Sequence, residues 1–225
     1  MGTWWVTRLI ETGGYILLFS WVFWVLLSIC LHELAHGWAA LEQGDDTPRL
    51  TGHMTMNPLV HMGQMSLLMF AIVGIAWGAM PVNPNRFRAG RVGDAQVSAA
   101  GPAMNLALAL ATLTCLGVLR AMTAGNVNGA PPNLFVQNFG TFLLVGGWLN
   151  LTLMAFNLIP IPPLDGSTIL RSLVPITEPI YQHEGFDRFG LLLLLGVFWF
   201  GGQYLFRYAL TAADWWATFI KTSLL

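Results

Sequence analysis

Apolar residues gather along the chain in five long runs, roughly 15–42, 62–80, 96–120, 138–159 and 187–208. Each is near the ~20 residues that a helix needs to cross a bilayer, so the pattern predicts an all-α polytopic membrane protein built as a transmembrane helix bundle. A shorter stretch, Tyr208 to Ile220, sets Trp215, Trp216, Phe219 and Ile220 beside Asp214 and Lys221. It suits an interfacial helix or the second arm of a C-terminal hairpin. One loop has a different rhythm. In "PRLTGHMTMNP", Leu50, Met54 and Met56 alternate with Arg49, Thr51, His53 and Thr55, and Gly44–Asp46 and Asn57–Pro58 punctuate the stretch. Period two predicts a short membrane-associated β-strand or hairpin there, with an edge on which an extended substrate can pair.

Composition supports lipid as the solvent. Of 225 residues only 9% are charged and 55% are hydrophobic, with a mean hydropathy of +0.61. Soluble domains carry about 25% charged residues. A net charge of -1 offers no basic patch for nucleic acid. Several tryptophans, among them Trp4, Trp5, Trp38, Trp77 and Trp148, fall at segment ends, where they anchor at the interface or pack between helices. Cys30 and Cys115 are isolated and form no CxxC pair. With no repeat or long linker, 1–225 reads as a single integral membrane domain. Its first apolar run reads as a retained helix rather than a signal peptide, because that run carries on into a polar motif.

That motif is "HELAH", residues 32–36. On a helix, i and i+4 share a face, so His32 and His36 project side by side toward one metal ion. Glu33 is rotated about 100° from His32, placed to hold a water without being a ligand. This is the HExxH arrangement of zinc peptidases. Ionisable groups within a bilayer are costly, at ~2.5–3.5 kcal/mol each, and are usually functional. A catalytic zinc takes a third protein donor. The best candidate is Asp165 in "FNLIPIPPLDG", where Pro160, Pro162 and Pro163 forbid a regular helix. Irregular backbone at membrane depth must be buried in protein or face water. The competing role for Asp165 is N-cap of the helix that follows.

HELAH followed much later by "NLIPIPPLDG" resembles the site-2 protease family of intramembrane zinc metalloproteases. "SAAGPAMN", Ser98 to Asn105, is similar to the family's Gly-Pro-containing helix start, and "NPLVHMG" and "PVNPNRFR" resemble the short subgroup without PDZ or CBS domains. The likeness spans about 15–175; the C-terminal helices, 186–225, match no motif. The resemblance implies one Zn2+ held by His32, His36 and Asp165, with Glu33 as catalytic base and Asn157 polarising the scissile carbonyl. It also implies a transmembrane protein or peptide as substrate, in a prokaryotic inner membrane. Gly101 and Pro102 are expected to open the third helix, with Asn105 one turn in, either bonding across helices or lining the cleft.

The ligands must meet at one depth. If all of the first four runs crossed, His32 and Asp165 would face opposite sides, so 62–80 is expected to be re-entrant or in-plane. Arg49, Arg86, Arg88, Arg91, Arg171 and Arg188 then lie on the motif side, and Arg8 and Arg120 on the other. That bias places the site toward the cytoplasm. The arginines of "NRFRAGR" suit anionic lipid. His53 and His61 are expected to be structural, and His183 an exposed loop residue. Two rival readings remain: a catalytically silent scaffold or regulator of the same fold, and a metal-handling membrane protein. The latter requires further ligands along a pore, which 96–120 does not supply.

Overall fold

The computed structural model describes residues 4–124, 133–182 and 186–225. Helices dominate, and among the described residues three are long and apolar enough to cross a membrane: α1 (Trp5–Glu42), α4 (Gly90–Ala124) and α5 (Leu134–Asn157). Between α1 and α4 lie a one-turn α2 (Thr47–Leu50) and α3 (Pro58–Val73). After α5 come α6 (Asp165–Leu173), α7 (Glu178–Gln182), α8 (Phe186–Gly196), a π-helical turn (Val197–Gly201) and α9 (Gly202–Ser223). Only 33% of the most apolar window of α1 is buried within the protein, so its remaining surface, including Tyr15, Phe19 and Phe23, needs lipid. The chain is an integral membrane protein.

Apolar clusters join the helices. Trp24, Val25 and Ile29 of α1 pack against Met62 and Phe70 of α3 and Val145 and Leu149 of α5. Leu113 and Leu116 of α4 pack against Leu143 of α5 and Ala213 and Ala217 of α9. Indole N–H groups secure the second cluster: Trp148 donates to the Phe206 carbonyl at 2.9 Å, and Trp216 to Thr114 Oγ1 at 3.1 Å. The 208–220 stretch is therefore packed on α4 and α5; it continues α8 through the π-helical turn without reversing, so no C-terminal hairpin forms among the described residues. His183 lies outside the described residues.

The segment between α1 and α4 leaves and returns at one end of the bundle. Arg88 N donates to Gln43 O at 2.9 Å, Gln43 Nε2 to Gln96 Oε1 at 2.6 Å, and Asn83 N to Asp45 Oδ2 at 2.6 Å. Within it, α3 has 16 residues, is capped by Asn57 and breaks its helical dihedrals at Gly63. The chain then doubles back along α3, with the Ser66 hydroxyl bonding both Trp77 N and Trp77 O and with Ala79 N donating to His61 O at 2.9 Å.

The structure corrects the sequence reading in two further places. No strand forms at 50–56 or elsewhere among the described residues. Pro48 instead starts the helical turn of α2, with Thr47 N and Oγ1 both donating to Asp45 Oδ1, and Gly52 then turns the chain at φ 73°. Local turn chemistry overrides a seven-residue alternation that has no partner strand. The strand edge offered to substrate is therefore absent. Second, Gly101 and Pro102 do not open the third helix. It begins at Gly90 and carries Pro102 inside, because surrounding turns and neighbouring helices tolerate the one hydrogen bond a proline removes.

Candidate metal centre

The last turns of α1 bury His32, Glu33 and His36, each under a tenth exposed. The i, i+4 spacing brings the two imidazoles to a centroid separation of 4.6 Å, nearly perpendicular at 85°. Helix α4 orients both. His36 Nδ1 lies 2.7 Å from the carbonyl of Val97, and His32 Nδ1 lies 2.6 Å from Asn105 Oδ1. A carbonyl only accepts, so the proton of neutral His36 sits on Nδ1 and Nε2 carries a bare lone pair.

Asp165 arrives from the other side. Helix α5 stops at Asn157, and the prolines carry the chain through bends to α6, which begins at Asp165 itself. Gly166 permits the tight return, since a Cβ there would collide with the Leu158 and Ile159 carbonyls. Helix α6 is tied to α4 by Ser172 Oγ donating to Asp94 Oδ2 at 2.8 Å and to α7 through Arg91, which bonds both Arg171 O and Glu178 Oε2. The N-cap position belongs to Leu164, and the Asp165 side chain makes no cap bond. Its carboxylate turns instead toward the histidines: Oδ2 is 3.2 Å from His32 Nε2 and Oδ1 is 3.4 Å from His36 Nε2.

These three residues form one group of possible metal donors. The two Nε2 atoms face each other at 3.0 Å, and Asp165 Oδ2 is buried without a properly aligned hydrogen bond. Bare lone pairs and an anionic oxygen converging on one point repel unless a cation lies between them. A tetrahedral zinc with ligand distances of about 2.0–2.2 Å has edges of about 3.3–3.6 Å, close to the separations here. Gly101 lines the same space. A Cβ there would lie 2.6 Å from His32 Nε2 and closer still to His36 Nε2. The donor set and the room left beside it fit zinc.

The other sequence candidates fall as follows. Glu33 is buried beside this group but outside it, and the returning segment after α3 crosses it, so that a Cβ on Gly78 would lie 2.5 Å from Glu33 Oε1. Asn157 is half-buried and donates to its own helix at Leu153 O, 3.0 Å away. The structure does not bring it into the donor group. His61 Nε2 bonds the Thr55 carbonyl at 2.6 Å and His53 Nδ1 lies 3.0 Å from Thr51 O; neither belongs to the donor group. Asn150 was missed by the sequence reading. It is fully buried in α5, and Asn105 Nδ2 donates to its Oδ1 at 2.8 Å. The signal was available as a lone amide in an otherwise apolar turn of a spanning helix.

Comparison with known proteins gives an independent result. A family model described as Peptidase family M50 matches residues 20–197. The provisionally named zinc metalloprotease YwhC of Bacillus subtilis is 35% identical over 173 residues, covering 76% of this chain and 77% of that protein. A provisionally named zinc metalloprotease, Rip2, of Mycolicibacterium smegmatis is 34% identical over 148 residues, covering 63% of this chain and 52% of that protein. Rip2 of Mycobacterium tuberculosis is 31% identical over 180 residues, covering 77% of this chain and 64% of that protein. The chain thus spans between half and two thirds of the mycobacterial relatives. No solved structure matches it.

Proposed function

The chain belongs to peptidase family M50, the site-2 protease family, and from that membership we propose that it hydrolyses peptide bonds of membrane-embedded substrates as a zinc metalloendopeptidase. The observation that carries the reading is the convergence of His32, His36 and Asp165 from α1 and α6 on one cation-sized point. When bound, zinc supplies Lewis acidity, which acidifies water and polarises a carbonyl.

The chain's own residues do the rest. His32 and His36 offer neutral imidazoles, and Asp165 brings the compensating negative charge. Glu33, one residue from His32 but not a donor, takes the proton from water and returns it to the leaving amine. Asn157 turns its second amide N–H toward the developing oxyanion. Helix α3 and its return form a re-entrant element beside Glu33, so that 43–89 stays on one side of the membrane. Arg49, Arg91 and Arg171 pair, and Arg86 lies near Asp45, at the end of the bundle that holds the site, while Arg120 pairs with Asp214 at the other. That distribution supports a cytoplasmic site in a prokaryotic membrane. The substrate is a transmembrane protein or peptide, taken from the surrounding lipid. A metal-carrier reading lacks support, since among the described residues no second donor group continues a path through the bundle.

The test is a matched pair of variants in detergent, with zinc content and cleavage of a model transmembrane substrate measured together. Glu33→Gln is expected to keep zinc and lose cleavage by about 100-fold or more. Asp165→Asn is expected to weaken zinc as well. Undiminished hydrolysis by Glu33→Gln removes the assigned base.

A further inference from the structure

We propose that Asn150 is a positioning residue for the metal centre, fixing which nitrogen of His32 faces the ion by way of Asn105. The inference rests on the metal-site reading above and deepens it. Of the two donor histidines, His36 is held by a backbone carbonyl, an acceptor that cannot reverse. His32 has no such anchor. Its Nδ1 meets the side-chain amide of Asn105 at 2.6 Å, and an amide has one accepting and one donating end. If Asn105 turned over, its NH2 would face Nδ1. The imidazole proton would then move to Nε2 and point into the donor group, where it would exclude a metal.

A directional chain prevents this. Asn150 Nδ2 donates to the Gly146 carbonyl at 2.8 Å, which can only accept. Asn150 Oδ1 must therefore face Asn105. It takes the bond from Asn105 Nδ2 at 2.8 Å, which leaves Asn105 Oδ1 for His32 Nδ1–H. Both amides are fully buried, at 0% exposure, so water cannot substitute for either partner. Orientation set at one backbone carbonyl in α5 passes through two amides to the bare Nε2 of His32.

The test uses the purified full chain in detergent, with zinc Kd from chelator competition and the tautomer from 15N-histidine NMR of metal-free protein. Asn150→Leu is expected to raise the zinc Kd roughly 10–100-fold and to move His32 from the Nδ1–H toward the Nε2–H form, leaving His36 unchanged. The decisive arm is Asn105→Leu, which removes the amide through which the orientation passes. In that background, adding Asn150→Leu is expected to change the Kd by no more than about twofold. An equal loss in both backgrounds overturns the proposal in favour of packing, as does an unchanged tautomer in Asn150→Leu. Asn150→Ala serves the same comparison if the leucine variant does not purify. A parent chain whose zinc binding survives His32→Ala contradicts the metal-site reading instead. The NMR comparison, which needs no metal, still decides the relay.

Discussion

Gly101→Ala adds one methyl group at the point where the donor atoms converge. Its Cβ would lie 2.6 Å from both Cε1 and Nε2 of His32 and closer to Nε2 of His36. Ordinary contact needs about 3.5–4.0 Å, so the rings or the helix must yield by about 1 Å. Metal–ligand distances tolerate about 0.2 Å. Two relief routes exist, and both damage the site. The imidazoles can rotate away, or α4 can move out and stretch the His36–Val97 bond. The helix itself is not weakened, because alanine is favoured over glycine by about 1 kcal/mol in a helix interior. Zinc affinity is therefore expected to fall about 100-fold or more in a chain that still elutes as a folded species with parent-like helicity. Gly140→Ala is the control, since its Cβ would meet only Leu116 and Leu119, at 3.8 Å. Chelator competition gives the Kd, and circular dichroism gives the helicity. Parent-like zinc affinity in Gly101→Ala would refute the placement of the ion between the two Nε2 atoms.

Further outcomes concern the ends of the bundle. Burial opposes ionisation of Asp45, but hydrogen bonds from Thr47 Oγ1 and from the backbone N–H groups of Asn83 and Thr47, with Arg86 nearby, hold its carboxyl below the ordinary 3.8. A depressed folded pKa contributes stability above the unfolded value and loses it as pH falls through the folded one. Asp45→Asn is thus expected to lower thermal stability at pH 7 by about 1–2 kcal/mol, with the gap to parent narrowing once pH falls below 3.8 and closed in melts taken below the lower folded value. A gap that persists there would assign the loss to packing. Arg120 and Asp214 approach to 2.8 Å but are 32% and 63% exposed. Arg120→Ala should change stability by at most ~1 kcal/mol in the same melts, and a larger loss would mean that the pair locks α9 to α4.

Much of this was legible from residue pattern alone. The long apolar runs marked α1, α4 and α5, because spanning lipid demands length and apolarity whatever the neighbours are. HELAH gave the histidine pair, since helical periodicity is local. Asp165 needed more than spacing, because a carboxylate ahead of a short helix is equally an N-cap. Only the folded chain, with Leu164 taking the cap position, frees it for the histidines. The 50–56 alternation misled because it is a short run without a partner strand, and the turn signals at Pro48 just before it and Gly52 within it prevail. The hold on His32 and His36 was out of reach. It depends on which carbonyl and which amide of α4 stand opposite, and helix registry is set by long-range packing.

The central claim is that one zinc is shared by two imidazoles of α1 and the carboxylate that opens α6. X-ray absorption at the zinc edge, on the purified full chain, tests it most directly. The expected shell holds two imidazole nitrogens and oxygen donors at about 2.0–2.2 Å, and it loses an oxygen or the metal itself in Asp165→Ala. A shell containing sulfur or a third imidazole, or one that Asp165→Ala leaves intact, would contradict the account.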